Sequence, residues 1–314
     1  MPLRSRPGLL LPAALLLLAL LPGCTGEPTD SDGVFRVTCT VGMLGDLARE
    51  IVGSEGEVVT LMGPGTDPHL YKPSPGDVER LGASDVVLFV GHHLEGRMAE
   101  VLGRLGEQRT TAALGERIAP ELLLRGEEGA PDPHLWSDPS RWSRVAIEIG
   151  AVLAAADPSN GDLYRTRAAA CGERLVALDA EMRERLSLVP RGRRLLVTAH
   201  DAFRYFGEAY DFEVVGVQGP STDAEAGVRH INDLVTRIIE RRLPAIFIES
   251  TVPPRTMEAL IEGCRARRHT LRIGGELHSD ALGAQGSPAA TYEGMLRHNV
   301  ETIVTALTTV VEEP

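Results

Sequence analysis

The chain has 314 residues, 43% of them apolar and 4% aromatic, which is material for one large domain or two lobes and fits neither a disordered chain nor a multi-span membrane protein. Its formal charge of −12 argues against a nucleic-acid partner, because phosphate binding rests on a basic footprint. The same acidity is compatible with attracting cations.

Residues 1–23 read as a lipoprotein signal peptide. Arg4 and Arg6 make a positive start, residues 9–21 an apolar run, and Leu21-Pro22-Gly23-Cys24 its end. That ending resembles a bacterial lipobox, in which Cys24 becomes the lipid-carrying first residue of the mature protein; an ordinary secretory signal and an uncleaved anchor are the other readings. Residues 24–33 are polar and turn-rich and form a tether. No later stretch is long and apolar enough to span a bilayer. With Cys24 set aside, Cys39, Cys171 and Cys264 lie far apart without C-x-x-C spacing, which disfavours a cysteine zinc site. They are expected as small core residues, unpaired.

From residue 34 short β-rich runs alternate with helical patterns, the mark of parallel α/β architecture. Residues 35–41 predict a strand and 43–52 a helix. A second strand over 58–62 runs into Gly63-Pro64-Gly65-Thr66 and then Asp67-Pro68-His69-Leu70-Tyr71. Ser74-Pro75 predicts a helix start, with serine as N-cap and proline at the first helical position. A third strand follows over 86–90. The irregular stretch 122–133 delivers a near copy of the earlier motif, Asp132-Pro133-His134-Leu135-Trp136. Asp138-Pro139 caps the next helix, with Trp142, Val145, Ile149 and Val152 on one face.

A single seam then runs through Tyr164, Ala168, Cys171, Leu175, Leu178, Met182, Leu186 and Val189 in steps of three and four. It predicts one helix over 158–188, roughly 45 Å long, more than one lobe needs and suited to joining two. Beyond it come a strand over 195–199, a helix marked by Phe203, Phe206 and Tyr210, and a strand over 212–217. Thr222-x-x-Glu225 reads as a capping box for another helix. A strand over 245–249, a helix with Met257, Leu260, Ile261 and Cys264 on its stripe, and a strand over 271–273 come next. A Gly-rich loop leads to a closing helix with Met295, Leu296, Val300, Ile303, Val304 and Leu307 inside. The expected fold is α/β with two (β/α) lobes, each a parallel-rich sheet flanked by helices. The N-terminal lobe spans 34–157, the linking helix 158–189 and the C-terminal lobe 190–314.

Ligands of open α/β sheets bind outside the carboxyl ends of the strands. His69 follows the second strand, His200 follows the strand in Val197-Thr198-Ala199-His200-Asp201, and Gly274-Gly275-Glu276-Leu277-His278-Ser279-Asp280 offers Glu276, His278 and Asp280 after the last. His134 enters from a loop. The tandem Asp-Pro-His loops, Thr198-Ala199-His200-Asp201-Ala202-Phe203, and Gly274-Gly275-Glu276-Leu277 through Asp280-Ala281-Leu282-Gly283 resemble the zinc/manganese-binding solute receptor lipoproteins of metal ABC importers. The likeness runs along the whole mature chain, including Gln218-Gly219-Pro220-Ser221-Thr222 and Arg297-His298-Asn299.

The resemblance implies two lobes joined by a rigid helix and four metal ligands at His69, His134, His200 and Asp280. It further implies delivery of Zn2+ or Mn2+ to an ABC permease and its ATPase, with release through local disordering of a ligand loop. Imidazole suits zinc and other late divalent ions, and a carboxylate compensates charge. Asp67, Asp201 and Glu249 are candidates to hold the second imidazole N–H groups. His278 could compete with Asp280, since residues two apart share a face of an extended segment. His92-His93 reads as a surface or cleft-lining pair, and His230, His269 and His298 as structural.

The expectation is therefore an extracytoplasmic, lipid-anchored, monomeric receptor of the cell envelope, not an enzyme. Zinc is slightly favoured by ligand type and manganese comes next, since 122–133 lacks the histidine run of relatives dedicated to zinc. A secreted zinc hydrolase is the alternative, with Asp201 as its one base candidate and no H-E-x-x-H motif. An adhesin-like lipoprotein with structural metal is the third reading.

Overall fold

The computed structural model describes residues 33–126, 129–223 and 227–309. The expected signal peptide, Cys24 and most of the expected tether lie outside the described residues, as does Glu225 of the expected capping box.

The first lobe is built on four parallel strands, β1 (Phe35–Cys39), β2 (Gly56–Thr60), β3 (Val86–Phe89) and β4 (Thr110–Ala113), in the order β2-β1-β3-β4. Val37 pairs with Val58 on one side and Val86 on the other, which fixes the central register. Val86, Val87 and Leu88 are fully buried, as a strand covered by helices on both faces requires. α1 (Gly42–Val52) packs on β1 and β2 through Leu44, Leu47, Ala48 and Ile51. α2 (Pro75–Gly82) starts as expected: the Ser74 hydroxyl accepts from the Asp77 N–H, and the Asp77 carboxylate accepts from the Ser74 N–H.

Two elements of this lobe carry no clear pattern in the sequence, α3 (Ala99–Gly106) and β4. Gly103 and Gly106 weaken the helical signal of α3, and β4 is a short, half-exposed edge of Thr and Ala.

α4 (Pro139–Ala156) is capped by Asp138, which accepts from the N–H groups of Ser140 and Arg141. The linking helix, α5 (Gly161–Leu186), begins three residues later than expected, because Pro158–Asn160 forms a separate 3-10 turn. Its 26 residues span about 39 Å at 1.5 Å each. Every residue of the expected seam from Tyr164 to Val189 is buried. α5 lies along α4 and also meets α1 of the first lobe. Arg167 reaches the carbonyls of Ile51 and Val52 at the end of α1, and Arg174 pairs with Glu50.

The second lobe holds two parallel pairs, β5 (Leu195–His200) with β6 (Glu213–Gln218) and β7 (Ala245–Glu249) with β8 (Arg272–Leu277), with β5 beside β7. α6 (Arg204–Tyr210), α7 (Val228–Glu240), α8 (Arg255–Ala266) and α9 (Tyr292–Thr308) flank them. α9 also packs on α5, so the linking helix touches both lobes. Two expectations are corrected here. α7 begins at Val228 rather than beside Thr222. The segment Gly274-Gly275 is strand, not loop. Both glycines are needed there: a Cβ on Gly274 would lie 2.8 Å from Ala306 and one on Gly275 2.5 Å from Thr302, so α9 could not close on β8. Cys39, Cys171 and Cys264 are buried free thiols. No described helix is long and apolar enough to cross a membrane.

Candidate metal centre

Each Asp-Pro-His loop is set by its own aspartate. Asp67 Oδ1 accepts the His69 backbone N–H at 2.9 Å, and Asp132 Oδ1 accepts that of His134 at 3.0 Å. The proline between them fixes φ and spares a backbone donor. His200 is the last residue of β5 and Glu249 the last of β7, and they meet directly. Glu249 Oε1 accepts the His200 backbone N–H at 2.8 Å, and Oε2 lies 2.6 Å from its ring Nδ1. Asp280 follows β8. The donors thus gather at the carboxyl ends of the strands of both lobes.

His69, His134, His200 and Asp280 are all buried, and one donor atom from each lies within 4.8 Å of the others. His69 Nε2 is 3.3 Å from His134 Nε2 and 3.6 Å from Asp280 Oδ2. His200 Nε2 is 3.1 Å from Asp280 Oδ2, and His134 Nε2 is 3.7 Å from Asp280 Oδ1. A regular tetrahedron with bonds of about 2.05 Å has edges of about 3.3 Å, so these separations match a small four-donor cage. Both Asp280 oxygens face the cluster, which also allows two-oxygen binding.

The rings are oriented for ligation. Nδ1 of His134 faces Asp132 Oδ1 at 2.7 Å, and Nδ1 of His200 faces Glu249. A carboxylate there holds the proton on Nδ1 and aims the Nε2 lone pair inward. Apart from their approaches to one another within the cluster, His200 Nε2 and both Asp280 oxygens are buried without a hydrogen-bond partner, a costly state for polar atoms unless a cation satisfies them. A dication against Asp280 alone leaves a net charge of +1; Asp132 and Glu249 take the buried cluster to −1. The residues fit a divalent metal.

The electrostatics agree. Burial opposes charge on His200, but Glu249 and Asp280 outweigh it and raise its pKa well above the usual imidazole value. Burial also works against the Asp280 carboxylate, yet the facing histidines hold its pKa far below normal. His69 is pushed down to about 4, chiefly by burial.

Of the three expected ring-holding carboxylates, only Glu249 has that role. Asp67 holds the His69 backbone, and its other oxygen accepts from Thr222 Oγ1 at 2.6 Å, across to the second lobe. Asp201 lies 3.7 Å from Arg204 and holds no imidazole; burial and then nearby Asp132 push it up to about 6. Asp132 is the partner that sequence reasoning missed. Its position in the motif equals that of Asp67, so the signal was present but gave no means to rank the two.

His278 does not compete with Asp280. Its ring turns to Ser250 Oγ at 3.2 Å and stacks obliquely near His298. His230, His269 and His298 each bond a backbone carbonyl, as structural residues do. His92 and His93 sit outside the cluster with left-handed φ of 50° and 65°.

Known proteins share this arrangement of chain. The family profile described as zinc-uptake complex component A, periplasmic, matches residues 37–306. The manganese-binding lipoprotein MntA of Bacillus subtilis (strain 168) is 42% identical over 301 residues, covering 95% of this chain and 98% of that protein. The zinc-binding protein TroA of Treponema pallidum (strain Nichols) is 42% identical over 299 residues, covering 94% and 97%. The solved structure of the periplasmic zinc-binding protein TroA from Treponema pallidum matches with a TM-score of 0.85 at 43% identity, over 88% of this chain and 100% of that one. The chain belongs to the periplasmic zinc-uptake component A family, the metal-binding solute receptors of ABC importers, which are not enzymes.

Proposed function

We propose that His69, His134, His200 and Asp280 bind one Zn2+ or Mn2+ as cargo, with zinc slightly favoured, and that the chain delivers it to an ABC permease and its ATPase. In this reading the lobes at 34–157 and 190–314 each supply two ligands, and the helix between them limits their relative movement. Lipidation at Cys24 anchors a monomer outside the cytoplasmic membrane. The observation that carries the reading is the set of buried donors: three imidazoles and a carboxylate converge, and His200 Nε2 and both Asp280 oxygens have no other partner.

Three imidazoles favour zinc over manganese by the order of divalent affinities, whichever ion is the biological cargo. The relatives named for manganese and for zinc are equally similar at 42%, so the choice rests on ligand type. A two-oxygen Asp280 gives manganese a route to higher coordination.

Titration of metal-free protein with Zn2+, followed by Trp136 fluorescence, tests the site. One equivalent binds tightly, and His200→Ala abolishes it. Binding no tighter than micromolar, or equal affinity in His200→Ala, overturns the assignment. Asp280→Ala separates this reading from a hydrolytic zinc site: loss of metal supports the receptor, and retained metal with an open position supports chemistry.

A further inference from the structure

We infer that the Trp136 indole N–H is the latch that holds the Asp280 loop against the first lobe and sets how fast metal leaves. The inference rests on the four-ligand reading above. Trp136 stands two residues after His134, on the 3-10 turn Leu135–Ser137. Its Nε1–H donates to the backbone carbonyl of Ser279 at 2.6 Å, the residue before Asp280. Its ring packs edge-on against the His134 imidazole with centroids 5.3 Å apart, and its carbonyl accepts the Tyr292 hydroxyl at 2.7 Å. One buried side chain therefore contacts a ligand of one lobe and the loop that carries a ligand of the other.

At the far end of that loop Tyr292 adds two more ties to the first lobe, its N–H to Asp46 at 2.8 Å and its hydroxyl to the Trp136 carbonyl, but the other hydrogen bonds of residues 278 and 279 come from their own lobe. Asn299 accepts the His278 N–H at 2.9 Å and donates to its carbonyl at 2.8 Å. The Ser279 hydroxyl lies 3.2 Å from that of Thr251. These bonds stay intact if the lobes part. The Trp136–Ser279 bond must break before Asp280 can swing out of the cage.

The first Asp-Pro-His loop sharpens the point. It also has an aromatic two residues after its histidine, but the Tyr71 hydroxyl donates to Asp77 at 2.7 Å, inside its own lobe. The two loops look alike in sequence, yet only the aromatic of the second reaches the Asp280 loop. Trp142 supplies an internal control: it packs edge-on against Trp136 at 5.9 Å and is fully buried, yet its Nε1 has no hydrogen-bond partner.

The test uses the full chain loaded with one Zn2+, with release followed by stopped-flow after mixing with a chromogenic chelator. Trp136→Phe removes the donor and leaves the Ser279 carbonyl unpaired, so release accelerates about ten-fold or more, while the association rate changes little. Trp142→Phe, which loses similar ring volume and no hydrogen bond, stays within about two-fold of wild type. Incorporation of β-(3-benzothienyl)alanine at position 136 keeps the ring shape and deletes the N–H; it accelerates release like Trp136→Phe, and it serves alone if the phenylalanine variant does not fold. Unchanged release in the benzothienyl protein, or equal acceleration in Trp142→Phe, overturns the latch while wild-type loading and its loss in His200→Ala leave the ligand assignment standing. A wild-type chain that takes up no Zn2+ overturns both.

Discussion

Glu249→Gln and Asp132→Asn are the same chemical change behind two of the proposed ligand histidines, and the structure gives them different consequences. Asp132 accepts both bonds from His134, backbone N–H and ring Nδ1, on the single oxygen Oδ1. An asparagine with its carbonyl in that place keeps both. What it loses is the negative charge, including the contact of Oδ2 with Arg204 at 3.6 Å. Glu249 splits its two bonds: Oε1 takes the backbone N–H of His200 and Oε2 faces the ring. Glutamine turns one of these acceptors into an NH2 donor aimed at a donor. The least disruptive remedy lets the NH2 donate to Nδ1, which moves the ring proton to Nε2 and removes the lone pair that ligates. A lost charge-assisted hydrogen bond is worth about 1.5–3 kcal/mol, or roughly 10- to 150-fold in affinity at 1.4 kcal/mol per decade. Glu249→Gln is therefore expected near 100-fold weaker for Zn2+, and Asp132→Asn near ten-fold, the two ends of the usual range for such outer partners. Competition titration against a chelator of known affinity at pH 7 measures both. Equal losses, or a larger loss in Asp132→Asn, would refute the argument from oxygen usage.

Two further outcomes follow from other parts of the molecule. Because Glu249 and Asp280 raise the His200 pKa against burial, the metal-free site holds a proton near neutral pH, and metal must displace it. Zn2+ affinity should fall as pH is lowered from 8 to 6, with about one proton released at pH 7 by calorimetry in two buffers; His69, held near 4 by burial, adds nothing in that window. The sign for the metal-free fold is opposite: the His200 contribution is full below the unfolded value of about 6.5 and is lost as pH rises through the raised folded value. Absence of proton release at pH 7 would sink this account. Separately, Gly150→Ala in the middle of α4 would ordinarily stabilise a helix by about 1 kcal/mol. Here the new Cβ lies 2.5 Å from Ala168 Cβ on α5, so destabilisation by about 1–3 kcal/mol is expected from overpacking, read as a lower melting temperature.

The three clustered histidines were legible because their signal is local. An Asp-Pro-His turn and a strand-terminal His-Asp are fixed by a few adjacent residues, and the long seam from Tyr164 to Val189 announces α5 by periodicity alone. Asp280 against His278 was legible only through resemblance. Both lie on one short segment, and the choice between them is made by Asn299 and Ser250, 19 and 30 residues from Asp280, which hold His278 elsewhere. Asp132 was hidden for a related reason. Nothing inside the motif distinguishes it from Asp67; the Tyr205 hydroxyl, from α6, donates to its backbone carbonyl at 2.9 Å and Arg204 approaches its carboxylate. β4 was missed because an edge strand of Thr and Ala has neither alternation nor an apolar run to betray it.

The buried charges also say how tight holding and timely release can coexist. Asp132, Glu249 and Asp280 are three carboxylates shielded from water around three imidazoles, and charge that is buried without compensation costs several kcal/mol per ion. A proton on His200 offsets part of that cost in the metal-free chain, which is why its pKa stands so high; a dication offsets more. The carboxylates are therefore a thermodynamic device, acting on the difference between proton and metal, and they bias the equilibrium toward binding whatever the rate. Trp136 lies outside that exchange of charge: it meets the cluster through the edge of the His134 ring and a hydrogen bond to the Ser279 carbonyl. It stabilises the closed, loaded cage by tying the loop of the one anionic ligand to the opposite lobe, so its loss speeds release and weakens affinity by the same factor. A partner that pulls the Ser279 carbonyl away from the indole would open the cage without having to outcompete three imidazoles for the ion.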